Sequence, residues 1–75
     1  MLARVFLTFP QRLIREPVLH DLIRRFPVTT NIRGASISDE IALMALHIEG
    51  EQRDVDAALT HLESLGVQVE RLPES

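Results

Sequence analysis

The stretch Ile41-Ala-Leu-Met-Ala-Leu-His-Ile48 decides the fold, because it is apolar at every position except His47. Successive side chains of a β-strand point to opposite faces, so a strand of this composition is apolar on both of them. Such a strand belongs in the middle of a sheet, with both faces covered. Gly50 ends the segment. We therefore expect a sheet in which this strand has a neighbour on each side.

Three further segments are predicted to form the other strands. Residues Arg4–Phe9 are dense in β-branched and aromatic side chains, which is typical of a strand. The stretch Val28–Ser38 alternates between polar and apolar residues, and Gly34 within it indicates a bulge or a close approach by another group. Ser38-Asp39-Glu40 is expected to form a tight turn. Residues Val67–Leu72 alternate again and form the last strand.

Two segments have the spacing of amphipathic helices. The first opens at Pro17, which suits an initial helical turn, and stops before Pro27. The second begins near Gln52 and closes at Gly66, a residue suited to a left-handed backbone at a helix end. The predicted apolar stripes are Val18, Leu19, Leu22, Ile23 and Phe26 in the first helix, and Val55, Ala58, Leu59, Leu62 and Leu65 in the second.

The order strand, helix, strand, strand, helix, strand is the split βαβ pattern of ferredoxin-like α+β folds. Right-handed crossovers place the first and third strands in the centre and the second and fourth at the edges. We predict a single domain over residues 1–75. It would be a βαββαβ sandwich with a four-stranded antiparallel sheet and two helices on one face.

One face of this sheet would then carry apolar side chains with no helix to cover them. Phe6 and one set of side chains from the third strand point that way. A chain of 75 residues builds only a small core, and the absence of cysteine excludes disulfides. An uncovered apolar patch on so small a domain indicates a partner, so we expect a homodimer, or a larger partner, that covers this face or extends the edge strand.

Composition excludes several classes of function. The net charge is -3, all eight basic residues are arginine, and neither a basic face nor an aromatic platform for bases is evident, so no nucleic acid is expected. No apolar run is long enough to span a membrane, and no signal peptide is recognisable. We therefore expect no membrane insertion and a cytoplasmic location.

The sequence offers little support for catalysis or for a metal. The three histidines, His20, His47 and His61, have no metal-ligand spacing, and no cofactor is implied. Acylphosphatases share the fold and use an arginine in the first loop with an asparagine on a strand. Arg12 or Arg15 with Asn31 would imitate that pair, but the loop lacks the glycines expected there. We expect no enzymatic activity.

Two polar features leave alternatives open. Five arginines near the first loop, the first helix end and the second strand are either ordinary solvated side chains or flank one anionic ligand or acidic partner: Arg12, Arg15, Arg24, Arg25 and Arg33. Asn31 is disfavoured in a strand, and its amide both donates and accepts, which suits the polar groups of an amino acid. Equally, it could be a bulge residue that satisfies its own backbone.

The stretch from Arg25 to Ile37, with Asn31-Ile32 at its centre, resembles the NIL domain, a relative of the ACT domain. The resemblance extends to Leu7-Thr8-Phe9 and Pro17-Val18-Leu19, and to Gly50 and the late run from Ala57 to Glu70. NIL domains are best known at the C-terminus of the ATP-binding subunits of methionine importers. There the domain dimerises and binds methionine near the interface. No cofactor is implied.

The resemblance implies a ligand site on the second strand. Its members would be Asn31, Ile32, Gly34, Ala35 and Ile37. Asn31 would contact the polar end of the ligand, and Ala35 and Ile37 would line the place for its thioether chain. Arg33 stands where the family motif has leucine. Simple alternation puts this charge on the same face as Asn31 and Ala35, which makes methionine specificity an open question.

The sequence thus leads to two hypotheses. The first is a stand-alone ACT-like regulatory domain that senses methionine or a related amino acid as a homodimer, with a transporter or an enzyme of sulfur metabolism as its partner. The alternative is a protein–protein interaction module, docking through the open sheet face or an edge strand, in which ligand binding has been lost.

Overall fold

The computed structural model describes residues 1–73, and its elements follow the predicted order. The strands are β1 (Leu2–Pro10), β2 (Thr29–Ile37), β3 (Ile41–Glu49) and β4 (Gln68–Arg71). The helices are α1 (Val18–Arg25) and α2 (Gln52–Leu65), and one turn of 3₁₀ helix, Gln11–Leu13, follows β1. The predicted ferredoxin-like α+β fold is confirmed.

The strand order is β2-β3-β1-β4, and every neighbouring pair is antiparallel. β1 pairs with β3 over its whole length, from Leu2 opposite Glu49 to Pro10 opposite Ile41. The apolar segment that forms β3 therefore lies in the centre, as its composition predicted. β2 and β4 are the two edges, which confirms the order expected from right-handed crossovers.

The core lies between the sheet and the two helices. Alternate side chains of β1 and β3 point toward the helices, and Val5, Leu7 and Ile48 are fully buried. The helices contribute Leu22 from α1 and Leu62 from α2, also fully buried. The remaining buried members are Ala3, Phe9, Leu13, Val18, Val28, Ala42, Leu46, Val55, Ala58, Leu59 and Val67.

No helix within residues 1–73 covers the other face of the sheet. Phe6 of β1 lies there, next to Ala45 of β3 in the register, and both are only half-buried. Leu43 and His47 occupy the same side of β3 and are half-buried too. The predicted apolar content of this open face is confirmed.

The first helix differs from its prediction in two details. Pro17 is the residue before the helix, with φ −78° and ψ 60°, and the N–H of Asp21 donates to its carbonyl oxygen at 3.0 Å. The apolar stripe is also narrower than predicted. Ile23 is 45% exposed, because an eight-residue helix lying on a small sheet buries only the side chains that point straight at it.

The end of α2 fixes the position of the loop after β1. Gly66 has φ +104°, so the predicted left-handed helix end is confirmed. The N–H groups of Gly66 and Val67 donate to the carbonyls of Glu63 and Leu62. The guanidinium group of Arg12 donates to the carbonyl oxygen of Leu65, which would otherwise lack a partner at the helix end. The 3₁₀ turn is thereby tied to α2.

Candidate functional site

The five residues that the family resemblance assigns to a ligand all lie on β2, an edge strand. No residue of β2 is buried, although the strand is as long as the central ones. An edge strand presents a row of backbone N–H and C=O groups that have no partner in the sheet. Any group that binds along β2 therefore finds backbone donors and acceptors as well as side chains.

A β-bulge divides β2 into two parts, and the alternation of side chains between the two faces of the sheet changes there. The pairing with β3 runs regularly to Ile32, then shifts, and resumes at Gly34, so that Arg33 is the inserted residue. The predicted bulge around Gly34 is confirmed. A bulge reverses the alternation of side chains beyond it. The expectation that Asn31, Arg33 and Ala35 share a face is therefore wrong, because Ala35 lies opposite Met44 on the helix-facing side.

The register separates the assigned residues into two groups. Asn31 lies opposite His47, and Gly34 opposite Ala45, so both belong to the open face. Three others lie opposite residues of the helix-facing side: Ile32, Ala35 and Ile37 are paired with Leu46, Met44 and Ala42. A ligand that touches both groups has to reach around the free edge of β2.

The Asn31 side chain is the polar group among the five assigned residues of β2, and it has no hydrogen-bond partner among the described residues. The Asn31 side chain makes no hydrogen bond with any residue in the range 1–73, so the alternative in which it satisfies its own backbone is not observed. A Cβ atom placed on Gly34 would meet no atom within 4 Å. The surface beside Asn31 is therefore open, and no described atom lies where a side chain on Gly34 would be.

Two isoleucines among the five assigned residues are exposed, and one of them borders a groove. Ile32 is 52% exposed and Ile37 is 66% exposed. Ile37 lines a mostly apolar groove of about 230 Å³ together with Leu19, Ala42 and Met44, at the entry of α1. This groove has the character of a place for an aliphatic or thioether chain, and Ile37 is its link to β2.

The structure gathers three of the five arginines at a different place. Arg12, Arg24 and Arg25 line a groove between α1 and α2, on the helical side of the molecule, and His61 of α2 lines it as well. We call this the interhelical groove. Arg33 lies instead beside Ala45 and His47 at the open face. The sequence alone did not distinguish the arginines of the interhelical groove from Arg33, because the packing of the helices determines which arginines lie close together.

The arrangement needed for acylphosphatase chemistry is not formed. Asn31 and Ile37 are six positions apart along β2, or about 20 Å at the usual rise of a strand. Arg12 and Arg15 follow the end of β1 that lies near Ile37, and the Arg12 guanidinium is held at α2. Neither arginine is therefore placed beside Asn31.

The described part of the chain holds neither a metal-binding cluster nor a membrane-spanning helix. Within residues 1–73, no three His, Asp or Glu side chains lie close enough together to hold a metal ion. His61 stacks at a tilt on Phe26, with ring centroids 5.6 Å apart, which accounts for its half-buried position. No helix in the described range is long and apolar enough to cross a membrane.

The fold and the exposed motif strand define the class of this chain as a small ferredoxin-like α+β domain with an open edge at its sequence motif. The family model of the NIL domain matches residues 3–71. The chain therefore belongs to the NIL domain family, and the resemblance seen in the sequence is confirmed.

Two similar proteins come from two strains of Helicobacter pylori. In J99 and in HPAG1, the methionine import ATP-binding protein MetN is 32% identical to this chain over 63 residues. The match covers 79% of this chain but only 19% of either relative. The chain thus spans about a fifth of the length of these proteins.

A solved structure shares the fold. It is the C-terminal domain of an ABC transporter ATP-binding protein from Enterococcus faecalis, with a TM-score of 0.85 and 19% sequence identity. The superposition covers 97% of this chain and 86% of that one. At this identity the similarity bears on the fold.

Proposed function

We propose that this NIL domain is a regulatory domain that binds methionine or a related amino acid as a homodimer. The observation that carries the proposal is the position of Asn31 and Gly34, which lie unobstructed on a long edge strand in a chain of this family. The name of the Helicobacter relatives supports methionine as the first candidate.

The chemistry of β2 suits an α-amino acid in three respects. The Asn31 amide offers a donor and an acceptor that no described residue uses. Backbone groups at the strand edge can pair with an ammonium or a carboxylate group. Ile32, which follows Asn31 and is 52% exposed, offers an apolar surface for the side chain of the ligand. Ile37 and its groove lie about 20 Å along the strand from Asn31, beyond the reach of one methionine.

A second copy of the chain is the natural cover for this edge. Ile32 and Ile37, both on β2, each expose more than half of their surface. Dimerisation along β2 would cover these side chains and pair free backbone groups of the strand up to the bulge at Arg33. A ligand at Asn31 would then lie at the interface, so that binding and dimerisation would be coupled thermodynamically.

The domain would act as a cytoplasmic sensor or accessory subunit, with a transporter or an enzyme of sulfur metabolism as its partner. Catalysis has no part in the proposal. Arg33 is the residue that would adjust specificity, because it lies two residues after Asn31, at the bulge of the strand that would bind the ligand.

A thermal-shift screen over amino acids tests the proposal. Methionine at millimolar concentration should raise the melting temperature, because a ligand that binds only the native state stabilises it. Asn31→Ala should abolish the rise, while the matched variant Asn31→Asp keeps the size and one acceptor and should retain part of it. Sedimentation at increasing protein concentration should show a dimer that methionine strengthens. Unchanged melting with every amino acid would refute the sensing function.

The same exposed isoleucines favour one other function, a docking module for another protein. That function predicts no amino-acid response, together with a stoichiometric partner whose binding is lost in an Ile37→Asp variant. A melting shift with methionine that depends on Asn31 would exclude it as the sole function.

A further inference from the structure

The interhelical groove has the size and floor of a small-molecule site. Its volume is about 610 Å³. Pockets that bind small ligands usually enclose about 300–1,000 Å³ and combine apolar walls with a few charged groups. The floor consists of Leu13 and Val18, each 8% exposed, and of Leu65 at the end of α2.

Three guanidinium groups line the groove, and none of them forms an ion pair within residues 1–73. The side chains of Arg24 and Arg25 make no hydrogen bond in that range either. Arg12 donates to the Leu65 carbonyl, which leaves other N–H groups of its guanidinium available and holds the side chain in place. A planar guanidinium is well suited to bind a carboxylate through two parallel hydrogen bonds.

Two carboxylates line the same groove. Glu16 precedes α1 and Asp21 lies within it, and neither is paired with a cation in the described structure. A multiply charged anion such as a phosphate would be repelled by them. Unpaired charges of both signs around an apolar floor are complementary to a ligand that itself carries both signs and an apolar body.

From this arrangement we propose that the interhelical groove is a second binding site, for a small zwitterion with an apolar side chain. The carboxylate of the ligand is held by Arg24 and Arg25, its ammonium group by Asp21, and its apolar part rests on Leu13 and Val18. The site lies on the helical side of the domain, away from the exposed edge of β2. It is formed within one protomer, so it does not depend on the proposed function of β2.

NMR titration of the full chain tests this site with defined probes. Leucine, phenylalanine and methionine are the zwitterions. Leucinamide lacks the carboxylate, and N-acetyl-leucine lacks the ammonium charge. The expected result is saturable shifts of the backbone amides of Leu13, Val18 and Leu65 with the zwitterions. Loss of one charged contact should raise Kd about tenfold or more, so each analogue should bind that much more weakly.

Variants identify the groups responsible. Asp21→Asn, and the double variant Arg24→Gln/Arg25→Gln, should each raise Kd for leucine about tenfold or more. Arg53→Gln is the matched control, because Arg53 is a highly exposed arginine on α2 whose partner is Glu51. It should leave Kd unchanged. All variants alter exposed side chains, and unchanged melting temperatures will verify that they fold.

The two sites are distinguished in the same spectra. Shifts confined to the amides of β2, or groove shifts that survive every variant, would overturn the groove proposal and leave the β2 proposal standing. Shifts confined to the groove would support the second site and count against β2 as the sensor. Absence of any shift with all three zwitterions at millimolar concentration would refute both.

Discussion

Replacement of Gly66 by alanine is the sharpest test of how the loop after β1 is attached to the helical layer. Gly66 has φ +104°, where a residue with a Cβ atom is less stable by roughly 1–2 kcal/mol. The new methyl group would also meet the Arg12 guanidinium, which donates to the Leu65 carbonyl. Arg12 can swing away, but that hydrogen bond is then lost.

The expected loss is the sum of these two effects. An exposed hydrogen bond of this kind contributes about 0.5–1.5 kcal/mol, so Gly66→Ala should lower the free energy of unfolding by about 1.5–3.5 kcal/mol. This is a large fraction of the roughly 5–15 kcal/mol of a small domain. At about 4–8 °C per kcal/mol, the melting temperature should fall by roughly 6–28 °C.

Urea unfolding monitored by circular dichroism, at one fixed protein concentration, is the appropriate assay. Gly34→Ala is the matched control: its φ is not positive and a Cβ atom there meets open space, so it should change stability by no more than about 0.5 kcal/mol. Arg12→Ala alone removes the hydrogen bond without the backbone strain. In the double variant, the losses of stability from Arg12→Ala and Gly66→Ala should not add fully, because both substitutions remove the same hydrogen bond. A Gly66→Ala variant as stable as the Gly34→Ala control would refute the reasoning.

Three further substitutions test separate parts of the structure. Leu62→Ala removes a fully buried side chain of α2 and should cost about 2–5 kcal/mol by urea unfolding; a loss below about 1 kcal/mol would mean that the core is not packed as described. Arg71→Ala breaks a half-exposed pair with Asp56 at 2.8 Å and should cost less than about 1 kcal/mol, with the difference vanishing in high salt. Gly50→Ala brings a Cβ atom to 3.2 Å from both the Pro27 carbonyl oxygen and the Val28 side chain, so these neighbours must move by a few tenths of an ångström. Because the carbonyl belongs to the backbone and yields less easily than a side chain, the variant should melt below wild type.

The sheet order could be predicted from the sequence because one segment left no alternative. An eight-residue run apolar on both faces has to be central, and the crossover rule then fixes the positions of the other strands. Gly66 was equally readable, since few residues other than glycine adopt a left-handed backbone at a helix end. The burial of Ile23 was overestimated, because helical periodicity gives the direction of the apolar stripe but not its width.

The candidate sites were harder to predict from the sequence than the fold. Asn31 was identified by its motif, yet the facing of Ala35 was wrong because Gly34 indicated a bulge without giving the residue that is inserted. The register had to be seen to identify Arg33 as that residue. The interhelical groove joins residues about forty positions apart, such as Asp21 and His61. Local patterns carry no information about which side chains two separate helices bring together.

The bulge at Arg33 also bears on solubility. A partner strand that adds to β2 can continue a regular ladder only up to the inserted residue, because the spacing of donors and acceptors changes there. The opposite edge, β4, is only four residues long and carries Glu70 and Arg71. The two edges are thus unequal in length and spacing, and neither can template an open-ended stack of copies. Strand addition at β2 would end after one partner, which protects an exposed nine-residue edge from fibrous aggregation.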